Sequence, residues 1–319
     1  MTQTPIPIVF CADERYAQHL GVTLASLLEN NPRHQLAFTL VSISMSDEAR
    51  RRIAEIIARF PNATITFKTF NAEPYAHFRL DYHISFASYL RLFMTDFVDP
   101  QLEKVLYLDS DLLILGDIGE LWETAVDDYF VAAVRDPFSN LHTSLGFSPD
   151  ETYFNAGVLV INLRKWREAE IIKTFVQFIE GNAAVLRYHD QDTLNAVFRG
   201  RCLFLDPKWN FQARAASSNA KKLGVPAATF NALRRAPSII HFTTDKKPWF
   251  YLHRVNYKDL YFHYLRLTPW RDYVPPDRTL KNAFVKHLGI DVLIDDLRRR
   301  FPRALVFYRG LKRRLLPSR

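Results

Sequence analysis

The chain has 319 residues, 48% of them hydrophobic and 24% charged, which is typical of a soluble globular protein with one large core or two smaller ones. Its two cysteines, Cys11 and Cys202, form neither a metal-binding spacing nor a disulfide framework. The net charge is +8, and no stretch has the features of a signal peptide or the apolar length of a membrane span, so the sequence predicts a protein of the cytoplasm.

Short apolar runs alternate with helical patterns in the first half of the chain. This alternation predicts an α/β fold with a mostly parallel sheet covered by helices. The expected strands are 6–12, 36–43, 64–70, the run before Asp109, 129–136 and 156–163, and the expected helices are 17–29, one capped by Ser46, and 85–97. Later segments predict a helix over 166–179, a loop running into a helix at 189–198, an irregular stretch at 207–242 and a Pro-punctuated boundary at 268–276.

An acidic pair, Asp109 and Asp111, interrupts the apolar run of residues 105–115. Carboxylates at the end of a buried strand need a cation or strong hydrogen-bond donors, and hard oxygen ligands suit Mg²⁺ or Mn²⁺. With only 10 Gly and no phosphate-binding loop, the chain would need such a metal to neutralise a diphosphate. Taken alone, the pair also fits a turn or a helix cap.

Six segments, in order and at matching spacing, resemble glycosyltransferase family 8, and they span most of residues 6–250: FCADERYAQHLGV, HISFASYLRLFM, KVLYLDSDLLIL, YFNAGVLVINLRKWR, DQDTLN and HFTTDKKPW. The family contains retaining enzymes, among them bacterial lipopolysaccharide galactosyl- and glucosyltransferases. The resemblance implies a GT-A type, Rossmann-like fold with a mixed, mostly parallel sheet and a basic C-terminal helical extension. We therefore expect a catalytic domain over 1–268 and a membrane-associating region over 269–319.

The resemblance also implies site residues. Asp109, Asp111 and His241 match the metal ligands, for Mn²⁺ or Mg²⁺. Gln191 and Asp190 match the positions near the anomeric carbon. The residues expected to bind the UDP-sugar are Cys11, Asp13, Arg15, Arg91, Asp109, Ser110, Asn155, Asp192, Thr244 and Lys247.

Several of these residues also have a plain structural alternative. Asp13 suits a helix cap, Arg91 a surface arginine, and Asn155 a turn. His241, next to two isoleucines, suits an ordinary core histidine, and residues 190–192 suit the start of a helix.

The implied reaction moves a hexose, galactose or glucose, from a UDP-sugar to a saccharide acceptor, such as a lipopolysaccharide core or another glycolipid, with the α configuration retained. We expect same-face transfer, since Gln191 is a neutral amide and a poor nucleophile. The chain departs from the family pattern at Thr244 and Asp245, where the motif usually carries Gly, and at Arg15, where related galactosyltransferases often have Asn.

Two other functions remain open from the residues. An Asp-nucleophile phosphotransferase also uses Asp-x-Asp after a strand, but that class favours Thr or Val where this chain has Leu113. The second is a catalytically silent module that binds a sugar nucleotide or a glycan. The absence of the family's Gly at Thr244 and Asp245 is consistent with this alternative.

The C-terminal segment of this sequence is strongly basic. Residues 297–319 hold nine basic and no acidic residues, interleaved with leucines and aromatics, and they carry the whole net charge. This pattern predicts binding to an anionic membrane surface, on the cytoplasmic face of the inner membrane. A solvated tail or a nucleic-acid contact is the alternative, although no nucleic-acid-binding fold accompanies the charge. The sequence does not indicate an oligomeric state.

Overall fold

The computed structural model describes residues 4–78, 86–139, 145–148 and 150–289. Its strands follow the apolar runs of the sequence and form two sheets. The strands are β1 (Ile6–Cys11), β2 (Leu36–Ser42), β3 (Ala63–Thr69), β4 (Lys104–Leu108), β5 (Leu112–Ile114), β6 (Val131–Arg135), β7 (Phe154–Asn162), β8 (Cys202–Phe204), β9 (Phe211–Gln212) and β10 (Ile239–His241).

Helices cover the sheets and fill most of the connections. They are α1 (Ala17–Asn30), α2 (Asp47–Ile57), α3 (Met94–Phe97), α4 (Ile118–Trp122), α5 (Leu163–Glu168), α6 (Ile171–Asn182), α7 (His189–Val197), α8 (Ala220–Leu223), α9 (Ala227–Arg235), α10 (Lys258–Leu265) and α11 (Leu280–His287). The Ser46 hydroxyl accepts from the backbone N–H of Ala49 and so caps α2, as the sequence predicts.

The larger sheet has the strand order β3-β2-β1-β4-β7-β6-β8. Strands β3, β2, β1 and β4 run parallel, as do β6 and β8, whereas β7 is antiparallel to both β4 and β6. Every residue of β1 and β7 is buried, which explains why these runs lack polar alternation. The predicted mixed, mostly parallel α/β sheet is therefore confirmed.

The apolar run of residues 105–115 is divided between the two sheets. Strand β4 lies in the large sheet, but β5 pairs antiparallel with β10, which in turn pairs parallel with β9. Thr23 on α1 contacts the segment where the chain passes from β4 to β5. Its hydroxyl lies 3.0 Å from the carbonyl oxygen of Ser110 and accepts from the N–H of Leu112 at 3.1 Å. Asp109, Ser110 and Asp111 thus form the link between the sheets.

The stretch 207–242, expected to be irregular, contains α8, α9, β9 and β10. Three further helices differ locally from the sequence-based expectation. Residues 86–93 form a 3-10 helix before the short α3, and residue 85 lies outside the described part. The helix expected over 166–179 is broken at Glu170, which has a left-handed backbone with φ 43°. This break brings Trp166 and Phe175 edge to face, with ring centroids 5.4 Å apart in the core. Helix α7 begins at His189, where a loop was expected.

Residues 269–289 pack on the preceding chain. A Cβ added at Gly21 would lie 2.8 Å from the Trp270 ring, and the Asp277 carboxylate accepts from the N–H groups of Tyr251 and Leu252. The domain boundary at residue 268 stays a prediction, and the basic segment 297–319 lies outside the described residues. Within the described ranges, no helix combines the length and apolar character that crossing a bilayer requires.

Candidate active site

Asp109, Asp111 and His241 come together where the two sheets meet. Asp109 and Asp111 follow β4, while His241 ends β10, where it pairs with Leu112 of β5. The His241 Nε2 lies 3.5 Å from Asp109 Oδ2 and 3.3 Å from Asp111 Oδ1, and one ligand atom from each residue falls within 4.8 Å of the others. His241 is only 3% exposed, so its ring faces the carboxylates away from bulk solvent.

A chain of side-chain amides runs from β7 to this cluster. The backbone N–H of Ala156 donates to Gln191 Oε1 at 3.0 Å, and that of Gly157 donates to Asn155 Oδ1 at 3.1 Å. Because backbone N–H groups can only donate, they establish which atom of each amide is the oxygen. The Nδ2 of Asn155 then donates to Gln191, and the Nδ2 of Asn210 donates to Asn155 Oδ1 at 2.8 Å.

The same chain sets the tautomer of His241. With its nitrogen committed to Asn155, Asn210 presents Oδ1 to the Nδ1 of His241 at 2.9 Å, so Nδ1 carries the proton. The lone pair of Nε2 therefore points to Asp109 and Asp111. An imidazole held in this way, beside two carboxylates, is a preformed ligand set for a divalent metal.

Arg91 is buried between two carboxylates rather than exposed, which overturns its alternative as a surface arginine. Its Nη2 lies 2.9 Å from Asp109 Oδ1, its Nε lies 3.0 Å from Asp190 Oδ2, and its Nη1 donates to the carbonyl of Ala156. Burial opposes the charged guanidinium, but the two aspartates outweigh it and raise the pKa of Arg91. Burial is the main reason why the pKa of Asp190 rises to about 6.

Lys247 reaches the cluster from the segment after β10. Its Nζ lies 2.6 Å from Asp111 Oδ2 and donates to the carbonyl of Phe242. Burial opposes ionisation of Asp111, but the positive charge of Lys247 outweighs burial, so the pKa of Asp111 lies below its ordinary value. Trp249, two residues on, stacks on the buried His19 with ring centroids 3.5 Å apart and thereby anchors the segment to α1.

A cavity of about 170 Å³ opens beside the cluster, and we call it the donor cavity after the UDP-sugar donor that the sequence leads us to expect. Its lining residues are Cys11, Ala12, Asp13, Tyr16, Ala87, Ser88, Arg91, Asp109, Ser110 and Asp111. Asp13 also accepts from the N–H of Tyr16, which confirms its alternative as a helix cap. The exposed Arg15 pairs with Asp13 at 3.1 Å. Burial raises the pKa of the Cys11 thiol, so this wall of the cavity is uncharged.

Two other expected residues, Asp192 and Thr244, have partners within the protein. Asp192 is buried; its Oδ1 accepts from the Tyr153 hydroxyl, and its Oδ2 accepts from the N–H groups of Arg187 and Tyr188. The hydroxyl of Thr244 donates to the carbonyl of Lys246, and the Asp245 side chain is exposed. Among the described residues, neither Thr244 nor Asp245 forms a hydrogen bond or ion pair with Asp109, Asp111 or His241.

Sequence reasoning missed Asn210, His19 and Tyr107. Tyr107 donates to Asp109 Oδ1 at 2.8 Å and lies 4.6 Å below the Arg91 guanidinium. Its position two residues before Asp109, on the same face of β4, was a usable signal. Asn210 precedes His241 by 31 positions, and no spacing rule connects the two.

Known proteins resemble this chain over most of its length. A family model described as glycosyl transferase family 8 matches residues 7–253. General stress protein A of Bacillus subtilis is 32% identical over 82% of the chain and 94% of its own length. A lipopolysaccharide 1,2-glucosyltransferase of Escherichia coli K12 is 27% identical over 92% of the chain and 89% of its own length.

Among solved structures, the galactosyltransferase LgtC in complex with donor and acceptor sugar analogs superimposes with a TM-score of 0.74. It is 28% identical and covers 85% of this chain and 98% of its own. The glycosyltransferase GlyE of Streptococcus pneumoniae superimposes with a TM-score of 0.62 at 27% identity, over 85% of this chain and 62% of its own.

Proposed function

The chain belongs to glycosyl transferase family 8, and we propose that it transfers a hexose, galactose or glucose, from a UDP-sugar to a saccharide acceptor with the α configuration retained. The observation that carries this proposal is the set Asp109, Asp111 and His241 beside the donor cavity. The relative from Escherichia coli acts on lipopolysaccharide by its name, which supports a lipopolysaccharide core or another glycolipid as the acceptor.

The residues at the cluster fit a divalent metal. Two carboxylates and one imidazole are ligands that suit Mn²⁺, and Mg²⁺ shares the oxygen ligands. Gly157 leaves the necessary room, because a Cβ there would lie 2.2 Å from His241 Cε1 and 2.6 Å from Asp109 Oδ2. When bound, the ion would neutralise charge on the diphosphate of the donor.

The donor cavity and residues outside it supply the remaining contacts that we propose. Asp13 would bind the base, with Cys11 and Arg15 beside it, and Ser110 lies between the two metal-ligand carboxylates. Lys247, a buried ammonium group, would contact the departing diphosphate as a point charge. Further contacts to the donor are proposed for Arg91, Asn155, Asp192 and Thr244.

The surroundings of Gln191 and Asp190 favour same-face transfer. Gln191 Oε1 already accepts from Asn155 and from the N–H of Ala156, so it acts as an oriented dipole beside positive charge at the anomeric carbon. Asp190 is engaged by Arg91. In the proposed step the bond from the anomeric carbon to the phosphate oxygen breaks, the acceptor oxygen bonds to that carbon on the same face, and the acceptor proton goes to the phosphate.

Purified protein should release UDP from UDP-galactose or UDP-glucose when Mn²⁺ is present and not when it is chelated. Asp111→Asn should lower this rate at least a hundredfold, and Asp272→Asn, whose side chain is 96% exposed, is the matched control. Binding of UDP-sugar without release would instead identify a silent binding module. Phosphate release from phosphorylated compounds, without hexose transfer, would identify a phosphotransferase.

We also propose that the C-terminal region binds the anionic cytoplasmic face of the inner membrane. On α11, Leu280 and Phe284 are 92% and 63% exposed, and Leu288 after it is 53% exposed, so an apolar stripe runs along one face. Lys281 is next to Leu280 in the sequence, and the basic segment 297–319 follows. Such a combination suits an interfacial helix on acidic lipids.

Vesicle sedimentation tests this binding. The full chain should sediment with vesicles that contain acidic phospholipid, and the double substitution Leu280→Ser and Phe284→Ser should weaken binding. Val185→Ser, at an exposed valine on another surface, should not. Equal sedimentation of all three proteins would contradict the proposal.

A further inference from the structure

Residues 250–253 form a short loop against the backbone of Lys247, and we call it the support loop. His253, at the end of the loop, accepts the N–H of Lys247 on its Nδ1 at 3.1 Å. Phe250, at the start, donates its own N–H to the carbonyl oxygen of Lys247 at 3.4 Å, and its ring centroid lies 4.9 Å from that of His253. The loop therefore holds both polar groups of the Lys247 backbone.

The place of the Lys247 ammonium depends on this backbone. A lysine ammonium stands on a flexible four-carbon stem, so its position is defined only when the backbone below it is fixed. The Nζ lies 2.6 Å from Asp111 Oδ2 and donates to the carbonyl of Phe242, but these contacts hold only the tip of the side chain. Whatever fixes the support loop therefore helps to fix the ammonium.

Lys258, the first residue of α10, holds the support loop by its carbonyl groups. Its Nζ donates to the carbonyl oxygens of Phe250, Tyr251 and His253, the last two at 3.1 and 3.0 Å. An ammonium group has three donors, so these three acceptors match its capacity. Burial, and after it the charge of Lys286, lowers the pKa of Lys258 to about 8, which leaves most of the group protonated at pH 7.

Asp277 holds the same loop by its N–H groups. Its Oδ1 accepts from the N–H of Tyr251 at 2.6 Å, and its Oδ2 accepts from the N–H of Leu252 at 2.9 Å. Burial opposes ionisation of Asp277, but the hydrogen bonds from these N–H groups outweigh burial, so the pKa of Asp277 lies below its ordinary value. A carboxylate and an ammonium thus bind complementary groups of one short loop.

The start of α10 departs from two local rules. A cation at the first residue of a helix opposes the helix dipole, and Lys258 is at this position. Tyr257 before it has a left-handed backbone with φ 63°, which is unfavourable for a bulky residue. Departures of this kind are expected where a functional site, rather than local stability, decides the residue.

We propose that His253, Lys258 and Asp277 are positioning residues for Lys247, which hold its ammonium where the donor diphosphate binds. The proposal rests on the proposed function, since it assigns further residues to that same site. The match to the family model ends at residue 253, so Lys258 and Asp277 lie beyond it. Asp277 also follows residue 268, so the catalytic unit would extend past the boundary predicted from the sequence.

UDP binding reports the position of the ammonium without any turnover. The full chain is saturated with Mn²⁺ and titrated with UDP by calorimetry. Lys258→Met, Asp277→Ala and His253→Leu should each weaken UDP binding roughly tenfold, as expected when one charge-assisted hydrogen bond is lost. Lys173→Met on α6, 70% exposed, and Asp272→Ala, 96% exposed, are the matched controls and should bind UDP like the unaltered protein.

A conservative variant separates positioning from packing. His253→Asn keeps an acceptor, because the Oδ1 of asparagine is as many bonds from the backbone as the Nδ1 of histidine. It should therefore retain most of the UDP affinity that His253→Leu loses. Circular dichroism checks that each variant is folded.

A double-mutant cycle shows whether these residues act through Lys247. In a Lys247→Met background the ammonium is absent, so Lys258→Met and His253→Leu should have no further effect on UDP binding. A loop that only supported the fold would instead weaken UDP binding equally in both backgrounds.

Equal losses in the two backgrounds, unchanged UDP binding in the three single variants, or a similar loss in the controls would refute the inference. Failure of the proposed function has a different signature. If the unaltered protein does not bind UDP, the proposed function fails and the inference fails with it, whereas normal UDP binding by the unaltered protein and all the variants refutes the positioning role alone.

Discussion

The Nδ1 of His241 donates to the Oδ1 of Asn210 at 2.9 Å, and this bond decides which nitrogen of the imidazole faces the carboxylates. The direction of this hydrogen bond follows from the N–H groups of Ala156 and Gly157 in β7. These two donors fix which atoms of Gln191 and Asn155 are oxygens, and Asn155 in turn orients Asn210. His241, the candidate metal ligand, and Gln191, which we propose lies beside the anomeric carbon, are thus parts of one hydrogen-bonded unit.

Replacement of Asn210 by Leu should weaken Mn²⁺ binding by about 10- to 100-fold, because the imidazole loses the acceptor that fixes its tautomer. Titration calorimetry with Mn²⁺ measures this directly and does not depend on turnover. Asn71→Leu, at an exposed position, is the control. An unchanged Mn²⁺ affinity for the Asn210 variant would show that the tautomer is set in another way.

Gly157→Ala should abolish Mn²⁺ binding in a folded protein. A Cβ at this position would contact His241 and Asp109 at distances that no side chain tolerates, so the ligands must separate. Gly181→Ala is a suitable comparison, since a Cβ there meets nothing within 4 Å and Ala favours the helix by about 1 kcal/mol. Calorimetry and circular dichroism together distinguish a lost site from a lost fold.

Ionisation of Asp190 should lower the free energy of unfolding as the pH rises from 4 to 7. Its pKa is raised, mainly by burial, from 3.8 to about 6, so the folded protein binds this proton more tightly than the unfolded chain. The stabilisation is fully present below pH 4 and is lost as the pH passes through 6. Over that range the free energy of unfolding of wild type should fall by about 3 kcal/mol relative to Asp190→Asn, as urea titrations at several pH values would measure. Parallel pH profiles for the two proteins would contradict the assignment.

His19 should matter through its ring and not through its charge. Burial lowers its pKa to about 3, so it is neutral at pH 7, where it stacks on Trp249 and contacts the hydroxyl of Tyr261 at 2.8 Å. His19→Ala should cost about 3 kcal/mol of stability and raise the KM for the UDP-sugar, because Lys247 lies two residues from Trp249. His19→Phe should recover most of both, and equal losses in the two variants would show that the hydrogen bond dominates.

Much of the fold could be predicted because its signals are local. The continuous apolar runs of β1 and β7 reflect burial on both faces, and the Ser46 cap is encoded within four residues. The division of residues 105–115 between two sheets could not be predicted in the same way, because it depends on Thr23 and on β10, far away in the chain.

Some residues of the candidate site could be predicted from local motifs, and others could not. The motifs indicated Asp109, Asp111 and His241, and the structure brings all three together. The burial of Arg91 and the role of Asn210 depend on contacts across 65 and 31 positions, to Ala156 and to His241, which no single segment reveals. The break at Glu170 likewise reflects ring packing in the core rather than local helix propensity.

The position of the Asp109–Asp111 link between the two sheets has a consequence for cooperativity. The smaller sheet has strands of only two or three residues, and a metal held by Asp111 and His241 would cross-link it to the carboxyl end of β4. A ligand that binds only the intact arrangement suppresses local opening by mass action. Amide hydrogen exchange at Ile240 and His241 should therefore slow with rising Mn²⁺ concentration, while exchange in β2 stays the same.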